Sequence, residues 1–137
     1  MPQSNATYRD FIDREFFARL QRNPHYSLRA FARDLGLSPS KLSEVLRNKC
    51  GISAASARAM APRLRLNEME AEYFVALVES EHSRSKTRRD KARSRSDALQ
   101  AALGYTELDL ERFKVISDWI HFAILELTDV EDFQSNE

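Results

Sequence analysis

The chain has 137 residues, 42% of them hydrophobic, enough for one core with an appendage and too few for two full domains. With only 3 Gly and 4 Pro among many Ala, Leu, Arg, Glu and Ser residues, an all-α fold is expected and hairpin-rich architectures are excluded. The formal net charge of 0 hides a division, because residues 1–97 carry 19 Lys and Arg against 12 Asp and Glu (+7) and residues 98–137 carry 2 against 9 (−7).

No apolar run approaches the roughly 18 to 20 residues of a membrane span, and the N-terminal MPQSNATYRD has no apolar signal core. A soluble cytoplasmic protein is expected. The single Cys50 excludes an internal disulfide and lies in a turn without His or Cys at metal-ligand spacing, so it reads as a small packing residue.

A first helix is predicted over residues 7–21, where Tyr8, Phe11, Ile12, Phe16 and Leu20 recur at spacings of three and four. Asn23-Pro24 ends it. Ser27 caps a second helix running to about Leu35, and Gly36 supplies the left-handed backbone of its C-terminal turn. Ser38 then caps a third helix, Pro39 to Arg47, with a proline in its first turn, where the missing N–H costs little. Within residues 28–47, Phe31, Leu35, Leu37, Leu42 and Val45 occupy the inward places, and Ala32 stands where a larger side chain would push the two helices apart. This spacing is that of a helix-turn-helix, whose second helix can enter a major groove of DNA.

Ser53 caps a fourth helix containing Ala57, Met60, Ala61 and Leu64, in which Pro62 is expected to bend or shorten the helix. Asn67 with Glu70 forms a capping box for a fifth helix, striped by Met69, Tyr73, Phe74, Leu77 and Val78 and ending near His82. Residues 1–82 are therefore expected to form the DNA-binding domain.

Residues 83–97, SRSKTRRDKARSRSD, hold 7 Lys and Arg against 2 Asp and no large apolar side chain. Residues 83–104 are expected to be a basic linker or helix, with a solvated linker favoured over an arm tracking phosphates through Arg84, Lys86, Arg88, Arg89, Lys91, Arg93 and Arg95. Residues 105–137 form an apolar helix, expected to be a dimerisation element or the start of a truncated C-terminal domain. Phe113, Ile116, Trp119, Ile120, Ile124 and Leu127 are the dimerisation candidates, because little else in the chain is left to pack on them.

On the third helix, Ser40, Lys41, Ser43, Glu44 and Arg47 point away from Leu42, Val45 and Leu46 and are the candidate base readers. Arg and Lys donate to guanine O6 and N7, Ser bonds several edges, and Glu accepts from cytosine N4. Ser27, Arg29, Ser38, Asn48 and Lys49 are the candidate phosphate contacts, aided by N–H groups at helix starts. His25, His82 and His121 lack a third ligand or a nucleophile–base arrangement, so no metal, cofactor or enzymatic role is expected.

These segments also carry a resemblance. Residues 28–47 with their flanking helices, about half of the chain, resemble the lambda-repressor/Cro class of bacterial helix-turn-helix domains, often called XRE-like. More narrowly, YSLRAFARDLGLSPSKLSEVLRNKCGIS, AEYFVALVESEHSRS and FKVISDWIHFAILEL are similar to a family of uncharacterised bacterial regulators. In that family such a domain precedes a C-terminal domain of unknown function. The resemblance implies a five-helix DNA-binding domain read out by Pro39 to Arg47, and it carries Ser40, Lys41, Glu44 and Arg47 over by position. Relatives tend to have a helix former and a glycine where this chain has Pro62 and Arg65, which puts the exit of the fourth helix in question. They also extend further, which implies a piece of a longer protein or a shortened paralogue whose last helix pairs with another copy. A homodimeric, sequence-specific transcription regulator on double-stranded DNA is thus expected. The alternative is a protein-interaction module, antitoxin-like or scaffolding, that uses the terminal apolar helix.

Overall fold

The computed structural model describes the backbone of residues 7–135 and the side chains of 7–106, 108–123 and Glu126. The described residues are all-helical: α1 (Tyr8–Arg22), α2 (Leu28–Leu35), α3 (Pro39–Leu46), α4 (Ala54–Met60), a 3-10 turn (Ala61–Leu64), α5 (Glu68–His82), α6 (Lys86–Ala102) and α7 (Glu107–Ser135). No helix among them is long and apolar enough to cross a membrane.

The capping residues start the helices where expected. Ser27, Ser38, Ser53 and Asn67 each accept a hydrogen bond from the N–H three residues on, and Glu70 returns the bond to Asn67 to complete a capping box. Pro62 shortens the fourth helix as expected, since backbone after Met60 continues as a 3-10 turn. Four helical segments close on a left-handed residue, with the next N–H reaching back five positions: Gly36, Asn48, Arg65 and Gly104. Glycine bears this conformation without a Cβ penalty and Asn tolerates it, so Arg65 is the strained member of the set.

α1 is the post around which the rest packs. Its buried Tyr8 and Phe11 meet Phe74 and Tyr73 of α5 edge-on, Phe16 lies 5.1 Å from Phe31 of α2, and Phe11 lies 5.4 Å from Phe113 of α7. Ala32, Leu42, Val45 and Leu46 join the same core from α2 and α3.

Of the two alternatives for residues 83–104, linker or helix, the structure has the helix, and α6 packs along α5 for much of its length instead of standing solvated. Ala92 and Ser96 are buried at this contact, with Leu99 and Leu103 partly buried further along. Small side chains four residues apart let two helices approach closely, so a basic helix joins the core without a large apolar residue in its first three turns.

α7 also differs from expectation, since it has a partner within its own chain. Leu110, Phe113, Ser117 and Ile120 turn inward toward α1, while Leu108, Val115, Ile116, Trp119 and Phe122 remain exposed. Two of the dimerisation candidates, Phe113 and Ile120, are therefore intramolecular packing residues. Ile116 and Trp119 are exposed, and Ile124 and Leu127 lie outside the described side chains.

The α1–α7 contact is unusually polar. Lys114 Nζ lies 3.8 Å from Asp10 and 3.2 Å from Asp118, and His121 Nδ1 lies 3.2 Å from buried Asp13. Burial raises the Asp10 carboxyl to about 6, against the pull of the Thr7 N–H and Lys114. Burial also raises Asp13, against its bond to His121, and that bond in turn raises His121.

A group whose pKa is raised on folding stabilises below its unfolded value and loses that contribution as pH climbs through the folded value. For Asp10 the loss spans 3.8 to about 6, and for His121 it starts at 6.5 and extends upward. The melting temperature should therefore fall between about pH 4 and pH 6 and fall further above about pH 6.5 in thermal scans, with Asp10→Asn flattening the acidic part. A melting temperature that rises over this range would contradict the placement of these groups. Arg65→Gly should stabilise the chain by about 0.5–1 kcal/mol in urea unfolding, by relieving the left-handed strain at that position.

Candidate nucleic-acid interface

α2 and α3 are joined by Gly36, Leu37 and Ser38. Gly36 adopts φ 78°, and the Leu37 N–H returns to the Ala32 carbonyl at 2.8 Å, which turns the chain sharply into α3. An added Cβ at Gly36 would meet Arg63 Nη1 at 3.1 Å besides being strained. Leu42, Val45 and Leu46 hold α3 to the core, so its remaining residues face outward or along its flanks.

The base-reading candidates divide into two groups. Ser40 and Glu44 are exposed, whereas Lys41, Ser43 and Arg47 are half-buried. Lys41 Nζ donates to the Gly51 carbonyl at 3.1 Å and lies 3.4 Å from Cys50 Sγ, so it braces α3 to the following loop. Cys50 Sγ also lies 3.8 Å from Glu44 Oε2. Arg47 is the C-cap of α3 rather than part of its last turn.

Among the phosphate candidates, Arg29, Ser38, Asn48 and Lys49 are exposed and Ser27 is half-buried. The Ser27 and Ser38 hydroxyl oxygens accept cap bonds, which leaves each hydroxyl proton able to donate. Asn48, at φ 60°, turns the backbone so that Lys49 N–H closes on the Glu44 carbonyl at 2.9 Å.

The sequence reading missed Arg9. This buried side chain leaves α1, donates from Nε to the Val45 carbonyl at 2.8 Å, and pairs through Nη1 with Glu81 of α5 at 2.9 Å. Its guanidinium also lies 4.5 Å from the Tyr8 ring centroid. The Tyr8 hydroxyl is 2.9 Å from His82 Nε2. An added Cβ at Gly51 would meet the His82 ring at 2.5 Å, so a side chain there would force that ring to move.

A second cationic feature adjoins this loop. Ile52 and Ser53 form the rim of a groove of about 670 Å³ between α4, α5 and α6, lined by Arg58, Arg84, Arg88, Lys91 and Arg95. Its one carboxylate is Glu79, which takes Arg58 at 3.3 Å, while Glu72 takes Arg95 at 3.4 Å. The order of the chain gave no sign of this groove, because its cations come from two helices and the connection between α5 and α6.

Among the described residues no group of three or more His, Cys, Asp and Glu side chains is placed to hold a metal ion. An open cavity of about 410 Å³ is lined by Phe11, Tyr73, Tyr105 and Phe113, without Trp119.

Replacing Arg9 by Met removes a charged donor from the Val45 carbonyl and should destabilise the chain by about 2–3 kcal/mol in urea titration, whereas exposed Arg29→Ala should stay within about 0.5 kcal/mol. Equal effects of the two substitutions would show that Arg9 anchors nothing.

No family model matches this chain, and no curated protein and no solved structure matches it.

Proposed function

We propose that this chain is a sequence-specific double-stranded DNA-binding transcription regulator that acts as a homodimer. In this reading α1 to α5 form a lambda-repressor-like helix-turn-helix domain and α3 lies in the major groove. The observation that carries it is the α2–α3 pair: a short capped helix held to the core by Leu42, Val45 and Leu46, exposing Ser40 and Glu44 and flanked by the cations Arg29, Lys41, Arg47 and Lys49.

The parts take different tasks. Ser40 and Glu44 read base edges, while Arg29, Lys49 and the helix N-termini capped by Ser27 and Ser38 hold phosphates and set register. Lys41 and Arg47 border the reading face, and Lys41 reaches bases only by giving up its bond to Gly51. The groove of Arg84, Arg88 and Lys91 extends the positive surface beyond the α3–α4 loop toward the flanking duplex. Two copies on a near-palindrome would space half-sites about 34–36 Å apart, or a multiple of that.

The exposed apolar residues of α7 favour one second reading, a module whose terminal helix captures an unrelated chain. Co-purification of such a partner at fixed stoichiometry would favour it.

Selection from a random duplex library at near-physiological salt should recover a two-fold-symmetric motif. Glu44→Ala should then tighten binding to random duplex, by removing a charge that phosphates repel, and relax one base position by about 1–3 kcal/mol. Arg88→Ala should weaken all duplexes alike and reduce the salt slope by about 1. No enriched motif, or an Arg88→Ala variant with an unchanged slope, would count against the proposal.

A further inference from the structure

The outward face of α7 has a symmetry that its inward face lacks. At 100° per residue, Leu108, Arg112, Val115, Ile116, Phe122, Ala123 and Glu126 all project within about 60° of Trp119. The large apolar members are exposed, from 55% at Leu108 to 77% at Trp119. A contiguous apolar stripe of this kind marks an interaction surface.

What covers the stripe follows from its order. Counting outward from Trp119, Ile116 and Phe122 lie three residues away on either side, Val115 and Ala123 four, and Arg112 and Glu126 seven. Each apolar residue on one side is mirrored by an apolar residue on the other. The one cation of this group is mirrored by its one anion. A two-fold interface brings residue i of one copy against residue j of the other and j against i. Two α7 helices running antiparallel and crossing at Trp119 therefore place Ile116 against the partner's Ala123, Val115 against the partner's Phe122, and Arg112 near the centre line against the partner's Glu126, twice over. A parallel pairing would instead set Arg112 on Arg112 and Glu126 on Glu126.

We infer that the outer face of α7 is the seat of a second copy of this chain, packed antiparallel about a two-fold axis through Trp119 and registered by two reciprocal Arg112–Glu126 pairs. The interface excludes Phe113 and Ile120, which α1 already uses. Asp109, Glu111 and Asp118 sit about 80° or more from Trp119, at or beyond the margins where water reaches them. The inference rests on the homodimer element of the function proposed above, not on DNA recognition, and it is tested without DNA, so either can fail alone.

The full chain should sediment with a mass rising from 15.8 kDa toward twice that value over micromolar concentrations. Trp119, the single tryptophan, should shift its emission to the blue in step. Arg112→Glu alone and Glu126→Arg alone each create two like-charge contacts and should weaken the dimer at least about tenfold. The double reversal should recover it to within about threefold, and an equimolar mixture of the two single variants should form a heterodimer. Circular dichroism should show every variant folded, since both side chains are exposed in the monomer. A monomer at all concentrations, a dimer that survives Trp119→Glu, or a double reversal as weak as the single ones would each overturn the inference.

Discussion

One guanidinium decides where α3 sits. Arg9 projects from α1 into the C-terminal end of α3, where its Nε adds a second donor to the Val45 carbonyl beside the Asn48 N–H. A cation there meets the negative end of the helix dipole, and its far side is answered by Glu81 of α5. α1, α3 and α5 thus converge on one side chain, and the Tyr8 ring shields it from below. Without it, α3 would be held by three apolar residues on a helix of eight, which fixes depth better than rotation about the helix axis. A surface meant to present particular side chains at a fixed angle needs rotation fixed as well. The loop after α3 contributes to the same end: Asn48 turns it, Lys41 ties to Gly51, and Gly51 lets it pass over His82.

Helix starts and stops were legible because their chemistry is local. Ser27, Ser38, Ser53 and Asn67 bond N–H groups three residues away, and Gly36 supplies backbone that few other residues adopt cheaply. Periodicity located the buried stripe of α1 for the same reason. It could not see Arg9, which occupies a position next to that stripe and looks like any solvated arginine until α3 is brought within 2.8 Å. Nor could it see α6 as a packing helix. The close approach there depends on Ala92 and Ser96 being small, and smallness leaves no apolar signature.

The candidate interface was legible to a similar degree. The outward positions of α3 followed from the inward ones, and Ser40 and Glu44 do face solvent. Lys41 shows where that logic ends, because a lysine reaches whatever acceptor its flexible stem can find. The acceptor here is a carbonyl ten residues on, whose place depends on the left-handed turn at Asn48. The groove beside α4 was out of reach for a different reason: Arg58 and Arg88 are thirty residues apart and become neighbours only through the packing of α6 on α5.

α7 joins these threads because both of its faces carry apolar residues. Its inner face mixes Leu110, Phe113 and Ile120 with Lys114 and His121, which pair with Asp10 and Asp13, and its outer face carries Val115, Ile116, Trp119 and Phe122. Buried ion pairs return little net stability after their desolvation cost, whereas apolar area removed from water returns about 25 cal/mol per Å². The polar part of the inner contact thus adds little and depends on protonation, while the outer face still has its apolar area to gain once covered. Anything that covers it binds the folded arrangement and not the unfolded chain, so it stabilises α7 by mass action. Docking on α1 and engagement of a partner then reinforce each other. The helix that brings two copies together also touches α3, so the same association bears directly on the orientation of the helix proposed to read DNA.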